Sequence, residues 1–205
     1  EIPLRLVGSE MCIRDRFAMG VEEVNPDAKV LVAVTNSWFS PDDEQAASDA
    51  LIGKGCDVLA QHVDTTAPQT ASEKNGTWAI GYNSDMSKET PDATLTSVIW
   101  NWSAYYTSYV NSIVNATYDG SNYYGGMDES LVGLTGLSSL CEDGTQEKVN
   151  EMQQKILSGE FGVFDGEILT NDGTVIGEEG KTLDDATITG KINWYYHNVE
   201  VVDWK

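Results

Sequence analysis

Trp38 and Phe39, Asp64, Asp85 and the run Trp100-Asn101-Trp102 are the residues of this chain with most to offer a ligand. Each group follows a short apolar run that reads as a buried parallel strand, at the place where open α/β sheets bind small molecules. An aromatic ring supplies a stacking face, worth about 1–3 kcal/mol per base. A carboxylate accepts hydrogen bonds from ring N–H, exocyclic amine or ribose hydroxyl donors. Asn101 adds the paired donor and acceptor that match an adenine edge. Together these groups describe a cleft for a flat, polar ligand that is uncharged or cationic. Four of them have structural alternatives. Trp38 and Phe39 also suit core or interface aromatics, Asp64 the cap of the helix following Thr65-Thr66, and Asn101 the cap of a helix beginning near Trp102.

The elements that must position these groups alternate along the chain. Phe17 to Glu23 reads as the tail of a helix and Lys29 to Thr35 as a Val-rich strand. Pro41 to Lys54 reads as a helix, opened by Pro41 and by Asp42, Asp43 and Glu44, which suit a helix N-terminus by capping and by the dipole. Asp57 to Val63 is the next strand, Thr66 to Lys74 a helix closed by Asn75-Gly76, and Thr77 to Tyr82 a third strand. Three strand and helix units with short loops imply a parallel sheet with right-handed crossovers. A strand over Asp92 to Ile99 and a helix from Trp102 to Tyr118 follow, then a glycine-rich extended stretch from Tyr123 to Leu137. Thr145 to Ser158 is an amphipathic helix stopped by Gly159. Phe161 to Leu169 is a strand, Asn171-Asp172-Gly173 a hairpin turn, and Ile192 to Val202 the last strand.

Composition narrows the function. A formal charge of −21 over 205 residues repels phosphate backbones and anionic lipid, which argues against nucleic acid as a partner. With 40% apolar residues the chain is globular. Cys56 and Cys141 make neither a zinc site nor a disulfide framework and read as buried free thiols. Asp128, Glu129, Asp165 and Asp172 lack the alternating oxygen spacing of a calcium loop, so no metal is expected there. His62 reads as a satisfied strand histidine; no serine or cysteine is placed to complete a nucleophilic triad with it and Asp64, so the chain is not expected to be an enzyme. Residues 1–16 read apart from the rest. Leu6 to Arg16 looks like a translated sequencing adapter, and native sequence is expected from Phe17.

Several blocks, in order, resemble the basic membrane protein (BMP) family of ABC-transporter substrate-binding lipoproteins, which includes purine nucleoside receptors. They are Thr35-Asn36-Ser37-Trp38-Phe39-Ser40-Pro41, Ala60-Gln61-His62-Val63-Asp64, Ala79 to Ser87, Leu95-Thr96-Ser97, Trp100-Asn101-Trp102 with Tyr105-Tyr106, Tyr124-Gly125-Gly126 and Asn193-Trp194-Tyr195. The resemblance implies an α/β, type I periplasmic-binding-protein fold of two lobes, here truncated at its N-terminus. Residues 17–97 would be mainly the second lobe, 98–137 a hinge crossing with a remnant of the first, and 138–205 a return to the second.

The resemblance also implies a function. Such a receptor binds a purine base or nucleoside between its lobes, outside the cytoplasmic membrane, and delivers it to ABC permease subunits. It needs no cofactor and meets the membrane only through a lipid anchor upstream of this segment. Trp38, Phe39, Asp64, Asp85, Trp100, Asn101 and Trp102 are the implied ligand residues. Nucleoside-binding members carry a lysine where Trp100 stands, which shifts the expectation toward a free base, adenine first. Another small polar solute, or a ligand-sensing regulatory domain, is the alternative.

Overall fold

The computed structural model of the chain describes residues 5–121, 123 and 125–205. Tyr124 of the glycine-rich block therefore lies outside the described residues. The elements run α1 (Arg5–Val24), β1 (Val30–Val32), α2 (Pro41–Gly53), β2 (Val58–Ala60), α3 (Ala67–Asn75), β3 (Trp78–Asn83) and β4 (Thr94–Trp100). They continue with α4 (Trp102–Val114), β5 (Val132–Leu134), α5 (Thr145–Ser158), β6 (Asp165–Leu169), β7 (Val175–Thr182), α6 (Asp185–Gly190) and β8 (Val199–Val201). They divide into two compact units, Glu1–Val34 with Met152–Asp203, and Thr35–Glu151 with Trp204–Lys205.

The second unit is built on a four-stranded sheet of order β2-β3-β4-β5. The first three strands are parallel, and β5 closes the edge antiparallel to β4, with Val98 opposite Leu134. Helix α3 links β2 to β3 and packs on both. It stops where Asn75-Gly76 predicts, with Gly76 in the left-handed region at φ +70°. Many of the buried positions are small or polar, among them Ala71, Ala79, Ala93, Gln69, Ser72, Thr94 and Ser97, beside the larger apolar Leu59, Met86 and Leu131. Buried hydroxyls are expensive unless bonded; the Thr90 and Thr94 hydroxyls lie 2.7 Å apart and the Ser97 hydroxyl accepts from Met86 N–H at 3.2 Å, whereas Ser72 Oγ has no partner among the described residues.

In the first unit β1 pairs in parallel with β8, Val30 opposite Val199, and β6 pairs with β7 as a hairpin. The turn falls at Asn171-Asp172-Gly173 as expected. Asp172 Oδ1 accepts from the Thr170 hydroxyl (2.6 Å) and from Thr174 N–H (3.0 Å), which holds its carboxyl below the usual range. The core joins Met19 to Phe164, Ile168, Ile188 and Ile192, each worth about 1.5–3 kcal/mol of burial.

Four expectations are corrected. The strand at Val30–Val32 does not continue into the sheet of β2 and β3; it pairs with β8, some 170 residues on, because an apolar triplet specifies a strand but not its partner. The strand expected over Ile192 to Val202 shrinks to Val199–Val201, since Val199 N–H closes a turn onto Tyr196 O at 2.9 Å. Helix α4 ends at Val114 rather than Tyr118, with Ala116 in the left-handed region at φ +54°. Cys56 and Cys141 are free, as expected, but half-buried rather than core.

Helix α1 runs through the adapter-like segment, and Cys12 and Asp15 are buried there. Asp15 Oδ1 accepts from Tyr196 N–H at 2.8 Å, whereas Oδ2 has no partner among the described residues. Burial pushes its carboxyl up to about 6, against the smaller opposing effects of that N–H and of Arg14. A folded-state value above the unfolded one makes the folded chain bind the extra proton, so the contribution is present below about pH 4 and lost as pH rises through 6. Chemical denaturation between pH 4 and 8 is expected to show declining stability in this chain. The decline is expected to flatten in Asp15→Asn.

Candidate functional site

Because β2, β3 and β4 are parallel, their carboxyl ends share one edge of the sheet, and the segments at those ends carry Asp64, Asp85 and the Trp100-Asn101-Trp102 run, while Trp38 and Phe39 lie between β1 and α2. Asn36 and Asn83 sit ahead of Trp38 and at the end of β3 in the left-handed region, at φ +56° and +71°. Asparagine tolerates that conformation better than most residues.

The loop after β2 is tied to the loop that carries Trp38. Asp64 N–H donates to Trp38 O at 2.8 Å. The His62 ring stands edge-on between Trp38, at 5.1 Å and 80°, and Tyr82, at 4.7 Å and 78°. These are favourable T-shaped contacts. The histidine read from the sequence as an ordinary core residue thus fixes the pose of the Trp38 ring.

Tyr82 was not singled out by sequence reasoning, yet the register contains it. Ala60 lies opposite Ile80, so two residues on, His62 falls opposite Tyr82 on the same face.

A cleft of about 590 Å³ opens between the first turns of α2 and α3, lined by Phe39, Pro41, Asp42, Gln45, Asp64, Thr65, Thr66, Ala67 and Thr70. Phe39 is 68% exposed there, which removes the reading of a core aromatic. Asp64 does not cap α3: the N-cap is Thr66, and Ala67 N–H instead reaches the Thr65 hydroxyl at 3.2 Å. Beneath the cleft lies Glu44, 1% exposed. Its Oε1 accepts from Ser40 N–H at 2.8 Å and its Oε2 accepts from the Thr65 hydroxyl, joining the start of α2 to the loop before α3. The sequence offered Glu44 only as an acid suited to a helix N-terminus.

The remaining predicted residues form separate groups on the same unit. Asp85 Oδ1 accepts from the hydroxyl (2.6 Å) and N–H (3.0 Å) of Ser87, which lowers its pKa and keeps it an exposed carboxylate. Trp100 and Trp102 stack at 5.6 Å and 23°, the first half-buried and the second 49% exposed. Asn101 occupies the N-cap position of α4 but makes no side-chain cap; its Oδ1 accepts from the Ser103 hydroxyl instead. The structure therefore joins Trp38 and Phe39 to Asp64, and Trp100 to Trp102, with Asp85 in its own turn.

Among the described residues no group of three or more His, Cys, Asp or Glu is arranged to hold a metal. No helix there is long and apolar enough to cross a membrane. His197 lies in the first unit, its Nε2 2.8 Å from Glu22 Oε1.

An α/β unit with parallel strands and aromatic and carboxylate groups at their carboxyl edge is the arrangement of a periplasmic-binding-protein fold. An ABC transporter solute-binding protein from Conexibacter woesei shares it, with a TM-score of 0.60 and 19% identity, over 74% of this chain and 52% of that one. The chain belongs to the Bmp family of PnrA-like ABC transporter substrate-binding proteins, whose profile matches residues 10–166. It is similar to a purine-binding protein of Brucella abortus, 36% identical over 90% of this chain and 52% of that protein. It is also similar to a putative ABC transporter glucose-binding protein of Haloferax volcanii, 32% identical over 73% of this chain and 38% of that one. The chain spans about half or less of the length of these relatives.

Proposed function

We propose that this chain is part of an extracytoplasmic receptor that binds a purine base, adenine first, and hands it to an ABC permease without chemical turnover. The observation that carries the reading is the joint placement of Trp38 and Asp64. The Asp64 N–H is bonded to Trp38 O, so a stacking ring and an acceptor carboxylate are presented by two loops tied to one another. The relationship to a purine-binding protein supports the same ligand class. Asp85 and the Trp100-Asn101-Trp102 group complete the proposed contacts. Loss of the lysine at Trp100 favours a free base over a nucleoside.

The proposed division into lobes has support of its own. Helix α4 has no buried residue, although Trp102, Tyr106, Val110, Ile113 and Val114 form an apolar stripe along it. Such a stripe suits a lobe whose remaining elements belong to a longer protein. The lipid anchor would lie there too.

The test is a tryptophan-fluorescence and calorimetric titration of the full-length protein with adenine, guanine, adenosine, guanosine and glucose. One-to-one saturable binding of adenine is expected. Trp38→Ala is expected to weaken it about 5- to 150-fold, the equivalent of losing one stacking contact. Saturation by glucose with flat purine titrations would favour the second reading, a sugar receptor, which the Haloferax volcanii relative supports.

A further inference from the structure

We propose that Gln61 is the positioning residue of this site, the side chain that sets the loop presenting His62 and Asp64. Its importance for binding rests on the purine-receptor reading; its role in the loop does not. Gln61 is the first residue past β2. Its Nε2 lies 3.0 Å from Val63 O, 3.0 Å from Thr65 O and 3.5 Å from Met86 Sδ. Carbonyl oxygens accept and never donate, so two of them at this distance fix which end of the amide is nitrogen.

The loop is thereby folded around a side chain rather than closed by its own backbone. The carbonyls of Val63 and Thr65 are drawn to one point, which fixes the Val63–Asp64 and Thr65–Thr66 peptide planes that flank this turn. Those planes decide whether Asp64 N–H reaches Trp38 O and whether the Thr65 hydroxyl reaches Glu44. The contact with Met86 extends the same side chain to the residue next to Asp85. One amide therefore links the two loops that carry the proposed carboxylates.

The side chain is placed for its donors. Gln61 Oε1 is buried and has no partner among the described residues. A group that leaves its acceptor unmet while its nitrogen serves two carbonyls gives up part of what it gains. Glutamate is nearly isosteric but brings acceptors against acceptors. Methionine fills the volume with no donor, and asparagine keeps both donors on a shorter arm.

The experiment compares Gln61→Met, Gln61→Glu and Gln61→Asn with the parent. Amide hydrogen exchange is read on the 205-residue chain and adenine affinity on the full-length protein. Asp64 N–H is expected to lose about tenfold of its protection in the Met and Glu variants and to keep most of it in the Asn variant. Amides within β2 and β3 are expected to hold. Adenine affinity is expected to fall by a similar factor in the same two variants. Unchanged Asp64 protection in both, or an equal loss throughout the sheet, would overturn the proposal. If Met or Glu fails to fold, retention in Asn against loss in the surviving variant decides it. A full-length parent that ignores adenine would remove the purine reading, while the exchange result would still judge Gln61.

Discussion

Glu44→Ala is expected to destabilise the second unit by about 2–4 kcal/mol, from two hydrogen-bonding groups orphaned at about 1–3 kcal/mol each with partial rescue by water. The carboxylate is 1% exposed, and both of its oxygens are used, one by Ser40 N–H and the other by the Thr65 hydroxyl. Ser40 N–H precedes the first turn of α2, where four backbone donors lack helical partners. No side chain from Ser40 itself caps that end; its hydroxyl donates to Asp43 instead, at 3.0 Å. Glu44 is therefore both the cap of α2 and the tie to the loop that carries Asp64. Glu44→Gln is expected to cost less, since one carbonyl oxygen still accepts while its amide faces a donor. Urea denaturation of the three proteins checks the order. A loss below 0.5 kcal/mol in Glu44→Ala, the range of ordinary surface changes, would show that Glu44 holds nothing. The cleft between α2 and α3 is expected to loosen with it, weakening adenine binding even where the fold survives.

The contrast between Glu44 and its neighbours shows where sequence reading runs out. Asp42, Asp43 and Glu44 are one run of acids, and nothing in residue type separates the buried one from the others. Position does: Glu44, Ala47 and Ser48 share the buried face of α2 at helical spacing. Element placement was legible wherever chemistry punctuates the chain, as at Pro41, at Asn75-Gly76, and over Thr145 to Ser158. Strand β7 was not, because Gly177-Glu178-Glu179-Gly180-Lys181 is almost wholly exposed and carries no alternation. Helix α6 was missed as well, although Asp184 caps it by accepting from Thr187 N–H at 2.6 Å. Six residues are too few for a periodic signal. In the site, the place of Asp64 in the loop after β2 was legible, since it follows from an apolar run and its end, whereas Trp38 stands six residues past β1, whose partner is β8 rather than the sheet of β2. The place of His62 between Trp38 and Tyr82 needed the register of two strands, a long-range property that no single stretch of sequence contains.

Gly81→Ala is expected to be among the most disruptive single-methyl additions in this unit, at about 1–3 kcal/mol for overpacking. A Cβ on Gly81 would stand 2.2 Å from Ser97 Oγ, 3.0 Å from Ser97 Cβ and 3.3 Å from Met86 Cβ. Ser97 is fully buried on the neighbouring strand β4, directly opposite Gly81 in register. Its hydroxyl has little room to move, because Met86 N–H donates to it at 3.2 Å. The added methyl must therefore push the hydroxyl off Met86, the residue that follows Asp85 and meets Gln61. Stability and the geometry of the Asp85 turn are expected to fail together. The cause is one steric conflict, so its removal should restore much of the loss. Ser97→Gly alone is expected to destabilise by leaving Met86 N–H unmet, and Gly81→Ala alone by the clash. The double variant moves the single side-chain carbon from β4 to β3 and removes the clash, though Met86 N–H stays unmet, and it is expected to be more stable than the two single losses added together, by about 1 kcal/mol or more of coupling. Strict additivity in urea denaturation would mean that the strands separate freely at this point, and that the close approach of β3 to β4 does not hold the Asp85 loop in place.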